Sequence, residues 1–248
     1  MITLKSQREL TLMRRAGKIV AEVLELMKDA IRPELATLEL DQLAEKHIRR
    51  AGGIPAFKGY RGFPASICAS INEQVVHGIP GLRRLQEGDI VSIDVGVNYK
   101  GYYGDAAATF PVGIITPEAS MLIEVTQHSL DRAIAQAREG NHLSDISHAV
   151  QNHAEKNGFS VVRNYVGHGI GNDMHEEPQI PNFGPPGKGP KLASGMALAI
   201  EPMVNVGTWQ VETLEDQWTV VTQDGSLSAH FEHTVAIVAG KPEVFTVL

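Results

Sequence analysis

Apolar residues recur at positions 12, 13, 16, 19, 20, 23, 24 and 27, the spacing of one helix face. Ser6 and Glu9 stand just ahead of this stripe as a capping box, and Arg32-Pro33 supplies a stop. Thr37 is expected to cap a second helix, closed by Gly52-Gly53. The period then changes to two, predicting a strand over 66–71 and a hairpin over 92–110. Thr116-Pro117 opens a third helix, and Ser144 caps a fourth that ends at Gly158. Strands are expected near 160–166, 196–203, 218–222 and 230–239. The order is therefore helix, helix, strands, given twice. Two echoes support an internal duplication. His77-Gly78-Ile79 returns as His168-Gly169-Ile170, and a glycine lies six residues before both Asp94 and Glu201. One domain over 1–248 is expected, with halves of roughly 1–111 and 112–248 about a pseudo-two-fold axis and a site between them.

The hairpin carries the first chemistry. Val91, Ile93, Val95 and Val97 share one face, which puts Asp94 on the other with Ser92 and Gly96. A four-residue loop, Asn98 to Gly101, would pair Asp94 directly with Asp105, Cβ atoms roughly 5 Å apart. The small neighbours leave room for a cation. Glu201 shares a strand face with Ala197 and Ala199, and Glu232 alternates with Phe231, His233, Val235 and Ile237. Any one of these acids alone is as readily an edge charge facing water. Four together are not.

Four buried carboxylates require compensating cations, and two divalent ions balance them. Oxygen-rich donors with one or two imidazoles suit manganese, iron, cobalt or zinc. A structural zinc would need cysteines, and Cys68 has no companion. The chemistry points to a two-metal hydrolase. His168 is the leading imidazole, lying between glycines after a predicted strand. His175 follows seven residues later, and His77 is the internal counterpart of His168. His47, His128, His142, His148 and His153 fall on helical segments and receive no role. His230 and His233 flank Glu232 and are expected at most to orient it.

Composition narrows the setting. The chain of 248 residues is 43% hydrophobic and 21% charged, ordinary for a globular protein. A net charge of −7 without a basic run argues against a nucleic-acid partner or an electrostatic membrane anchor. One cysteine excludes an intrachain disulfide, and no apolar run reaches the length of a membrane span. A cytoplasmic protein is expected.

INEQVVHGIP, DVGVNYKGYYGDAAATF, GHGIG, HEEPQI, AIEPM and FEHT, in this order, resemble the type I methionine aminopeptidases along the whole chain. The resemblance implies the α+β "pita-bread" fold, two pseudo-symmetric α/β halves around a central antiparallel sheet. It implies five metal ligands at Asp94, Asp105, His168, Glu201 and Glu232, with Asp105 and Glu232 bridging two ions of Co, Mn, Fe, Zn or Ni. His77 and His175 match the substrate-contacting histidines, and Glu201 the proton shuttle. Tyr60, Phe63, Cys68, Met174 and Trp218 match the methionine pocket, with Phe57 at its rim; Met174 replaces a phenylalanine common there. The implied reaction removes the N-terminal methionine of nascent polypeptides near the ribosome when the second residue is small and uncharged. A monomer is expected. The short start before the first helix, and the lack of a helical insertion between Glu201 and Glu232, favour the bacterial housekeeping form. Two rivals share the fold: an Xaa-Pro peptidase, which normally carries a further N-terminal domain, and a non-catalytic binding protein, which would have lost ligands.

Overall fold

The computed structural model describes residues 1–248. Helix α1 spans Gln7–Ala30, and its capping box forms as the sequence predicts: Ser6 N–H donates to Glu9 Oε2 at 2.7 Å. The chain turns extended at Ile31, two residues before Pro33. Helix α2 spans Thr37–Arg50, but Ala36, not Thr37, is its cap, with Glu39 accepting from the Ala36 N–H at 3.0 Å. Thr37 is free instead to bond the Gly81 backbone in both directions. Helix α3 (Pro117–Gln136) starts from Thr116 as expected. Helix α4 (Leu143–Lys156) starts one residue before Ser144; His142, two residues before it, is the cap, and Asp145 accepts from its N–H.

Two sheets carry the site. The first holds β1 (Ile54–Pro55), β2 (Cys68–Ile71), β3 (Ile90–Tyr99) and β4 (Tyr102–Pro111), all paired to β3. The second holds β5 (Gly167–Gly169), β6 (Glu176–Ile180), β7 (Ala197–Ile200), β8 (His233–Val238) and β9 (Lys241–Val244), in the order β9-β8-β7-β5-β6 and antiparallel throughout. Two smaller sheets of three strands complete the β content. Of the strand expected over 160–166, only Ser160–Val161 forms.

The β3–β4 register corrects the sequence reading. The turn is two residues long, with Lys100 (φ 53°) and Gly101 (φ 87°) both left-handed, so Tyr99 pairs with Tyr102. Such turns match the strand twist, which a four-residue loop need not. Asp94 consequently faces Ala107, and Asp105 faces Gly96. The aspartates are diagonal neighbours on one face. The two-residue slip keeps them on that face while relieving direct opposition.

The sheets join along β4. Glu232 N–H donates to Ala107 O at 2.9 Å, and Ala107 N–H to Glu232 O at 3.3 Å. Two hydroxyls extend the seam. Thr234 Oγ1 accepts from Asp105 N–H and donates to Asp105 O, while Thr109 Oγ1 accepts from His230 N–H and donates to His230 O. Helix α1 crosses this seam: Leu10 and Met13 pack on Ile170, Ala197 and Ala236, whereas Ile19, Val20 and Val23 pack on the first sheet's apolar face. The crossing needs Gly17 and Gly104. A Cβ on Gly17 would lie 2.4 Å from Phe245 O, and one on Gly104 would lie 2.7 Å from Gly17 N. A mid-helix glycine costs about 1 kcal/mol of propensity, and contact between α1 and the seam offsets it.

Candidate metal and substrate site

The acids do not all lie inside strands. Asp94 and Asp105 do, but Glu201 follows β7 in a break completed by Pro202, and Glu232 lies in the break between Ser228–His230 and β8. The expected continuous strands over 196–203 and 230–239 are each interrupted at the glutamate. Pro202 has no N–H to continue a ladder, and Glu232 gives its backbone groups to Ala107. Asn182 Nδ2 holds the Glu201 carbonyl at 2.9 Å.

All twelve residues singled out from the sequence, with Phe57, line one cavity of about 150 Å³. Its floor is acidic. Ligand-type atoms of Asp105, His168 and Glu232 lie within 4.8 Å of one another. His168 Nε2 is 3.6 Å from Glu201 Oε1 and 4.0 Å from Asp105 Oδ2. Asp94 Oδ1, Asp105 Oδ1 and Glu232 Oε1 are buried without a hydrogen-bond partner, and an orphaned buried oxygen is costly unless a cation meets it. His168 Nδ1 lies 2.9 Å from Gly169 O. The ring proton therefore belongs on Nδ1, leaving the Nε2 lone pair aimed at the acids, the orientation a metal-ligating imidazole requires. The donor set fits divalent metal.

Electrostatics agree. Burial, reinforced by the neighbouring carboxylates, pushes Asp105, Glu201 and Glu232 well above the ordinary range, and burial raises Asp94 to about 7. Burial acts oppositely on imidazoles, lowering His168 and His77 to about 4 and His230 to about 3. These signs predict a stability curve for the metal-free protein. The histidines favour folding as pH rises towards 6.5, where their unfolded forms lose the proton. The carboxylates oppose it, because protonation favours the fold: their contribution is full below about 4 and is lost as pH rises through the folded-state values. Above about pH 7.5 histidines are neutral in both states, and the buried acids govern together with the raised Cys68 thiol. The metal-free Tm is expected to fall from pH 7.5 to 9, and Mn²⁺ to reduce the decline by replacing the protons on the acids. Calorimetry over that window checks it; a rising metal-free Tm would contradict the placement of the acids.

The wall beside the floor is apolar. Phe57, Phe63, Ala65, Cys68 and Met174 form one buried cluster, with Tyr60 and Trp218 packed against it. Gly96 admits it, since a Cβ there would lie 2.6 Å from the Phe57 ring. Asp41 of α2 secures the wall by accepting from the Ser66 and Ile67 N–H groups at 2.7 and 3.1 Å. Trp218 meets Phe63 edge-on at 5.1 Å. Cys68 is buried, and its thiol is raised by burial and by Asp94.

His175 and His77 both line the cavity. His175 Nδ1 is 2.9 Å from Tyr60 Oη, and its ring lies 4.2 Å from that of His168. His77 adopts a left-handed backbone (φ 60°) and is flanked edge-on by Tyr165 and Trp218. The two histidines beside Glu232 diverge. His230 Nε2 lies 3.9 Å from Glu201 Oε2, whereas His233 turns away to Thr246. Arg61 also lines the cavity, and nothing in the periodicity singles it out. Its signal is the bracketing Gly59 and Gly62 beside Tyr60.

The family model for metallopeptidase family M24 matches residues 11–239. The chain belongs to this family. A methionine aminopeptidase of Clostridium perfringens is 56% identical over 248 residues, covering 100% of both chains. The crystal structure of a methionine aminopeptidase from Thermotoga maritima superposes with a TM-score of 0.99 at 46% identity, again over 100% of both chains. A prolidase from Pyrococcus furiosus, 20% identical with a TM-score of 0.80 over 99% of this chain and 65% of that one, shares the fold. The M24 chain has the pita-bread fold, mixed α/β with antiparallel sheets, that unites these structures. Metallopeptidase membership also accounts for the divalent-metal donor set. No helix is long and apolar enough to cross a membrane.

Proposed function

We propose that this M24 enzyme is a methionine aminopeptidase that removes the N-terminal methionine of nascent polypeptides whose second residue is small and uncharged. The observation that carries the reading is adjacency: one cavity joins an acidic metal floor to an apolar pocket bounded by Phe63, Cys68, Met174 and Trp218. Asp94, Asp105, His168, Glu201 and Glu232 would hold two divalent ions, drawn from Co, Mn, Fe, Zn or Ni. When bound, the ions supply Lewis-acid polarisation of the scissile carbonyl and an activated water.

The remaining roles belong to side chains. Glu201 moves a proton from water to the leaving nitrogen, the general acid/base role of a carboxylate within reach of both. Tyr60 Oη and His175 Nδ1 lie 2.9 Å apart; with the phenol as donor, His175 carries its proton on Nε2 and offers it to the substrate carbonyl oxygen as charge develops there. His77, neutral at pH 7 because burial lowers it to about 4, contacts the scissile amide. The pocket excludes water from the methionine side chain, whose burial contributes roughly 1.5–3 kcal/mol.

The proposal includes one catalytic domain built from halves 1–111 and 112–248, acting as a monomer in the cytoplasm on chains emerging from the ribosome. A buried lone cysteine fits that reducing setting. Competition kinetics on Met-X-Ser peptides test the function. Ala, Gly and Ser at X are expected to be cleaved and Leu, Phe and Lys refused, while an Ala-Pro peptide stays intact. Norleucine in place of methionine should be cleaved more slowly, since one methylene-sized contact is worth about 1–3 kcal/mol. Equal kcat/KM for X = Ala and X = Phe would sink the reading.

A further inference from the structure

With the first side chain in the apolar pocket and its amine at the acid floor, the rest of a substrate leaves through the open end of the cavity. A cation stands there. Arg61 lines the cavity yet is exposed, and its guanidinium lies 5.3 Å over the Tyr60 ring whose hydroxyl holds His175. Nearby Lys58 is neutralised by Glu45 at 2.7 Å, whereas Arg61 enters no ion pair.

The backbone keeps this cation in place. Arg61 is left-handed (φ 51°, ψ 20°) between Gly59 (φ 86°) and Gly62 (φ 94°), a region where glycine or asparagine is at ease and arginine is strained. The loop is closed by Gly59 N–H to Phe63 O at 2.8 Å and Phe63 N–H to Tyr60 O at 2.9 Å. Strain of this kind persists where the surroundings over-determine it, characteristically beside sites. No ion pair accounts for arginine here; beyond its contact with the Tyr60 ring, the display of a charge at the mouth does.

We infer that Arg61 determines specificity downstream of the cleaved bond, favouring substrates with a carboxylate at the third or fourth residue and disfavouring lysine or arginine there. The inference rests on the aminopeptidase reading. The first two residues cannot carry the charge, since one fills the apolar pocket and the other must be small. With charges about 8 Å apart in water, attraction for one sign and repulsion for the other give a roughly five-fold ratio in kcat/KM.

The test compares Met-Ala-Ser-Glu and Met-Ala-Ser-Lys peptides, C-terminally amidated, on the metal-loaded enzyme at low ionic strength. The Glu:Lys ratio is expected near five, falling towards one at 1 M salt, where the Debye length is about 3 Å. Arg61→Asn, which suits the left-handed backbone, should bring the ratio to one, and Arg61→Glu should invert it. Each ratio is internal to one variant, so loss of overall activity does not blur it. A neutral tetrapeptide with a free C-terminus, run beside its amide, separates side-chain recognition from capture of a terminal carboxylate: preference for the free acid alone would overturn the side-chain claim. A wild-type ratio of one with methionine still released, or an unchanged ratio in Arg61→Asn, would also overturn it. Failure to release methionine from any of these peptides would instead overturn the proposed function, and this inference with it.

Discussion

Glu232→Gln is expected to cost this enzyme one metal ion and nearly all turnover while leaving the fold intact. Glu232 Oε1 is buried without a partner beside Asp105 and His168, so the carboxylate is present for a cation. An amide keeps the shape and the Ala107 backbone pair, which uses only main-chain atoms. It also removes a carboxyl that burial and its neighbours hold well above the ordinary range, so the metal-free variant should melt no lower than the metal-free parent. Activity should fall by more than roughly 100-fold, the upper range for losing a group that only supports a ligand. Asp94→Asn should behave likewise. Calorimetric titration with Mn²⁺ or Co²⁺, alongside turnover, checks both. Wild-type activity in either variant at matched metal concentration would end the dimetal assignment.

The second large effect separates two neighbouring imidazoles. His168 presents Nε2 to the acids with Nδ1 engaged by Gly169 O, whereas His175 is engaged by Tyr60 and faces the cavity. His175→Ala should therefore retain metal but lose roughly 2.7–4 kcal/mol of transition-state stabilisation, about 10²–10³ in kcat, as for an oxyanion-hole donor. His168→Ala should weaken metal binding itself. Equal metal affinity in the two variants would abolish the distinction, even if both were inactive.

Much of this molecule was legible before its structure. Helix boundaries followed from local rules: Ser6 with Glu9, Thr116 before Pro117 and the stop at Pro33 all depend on groups within a few residues. The acids were legible because a carboxylate among alanines and valines violates the burial pattern, and violations of that kind mark function. What misled was also local. Thr37 and Ser144 are good caps in isolation, yet Thr37 is engaged by Gly81 and Ser144 by Lys188 N–H, partners distant in sequence.

By itself, then, the sequence determined the alternation of elements, the face on which Asp94 and Asp105 lie, and the residue types of the site, because each depends on a short period or a nearby group. Only the tertiary structure decided the hairpin register, since Lys100 accepts a left-handed turn that its residue type does not advertise. Only it placed Glu201 and Glu232 at strand breaks, where Pro202 ends one ladder and Ala107, 125 positions away from Glu232 in the chain, captures the other. And only it brought Arg61 to the mouth of the cavity, because neither periodicity nor burial constrains an exposed charge until the chain has closed around it.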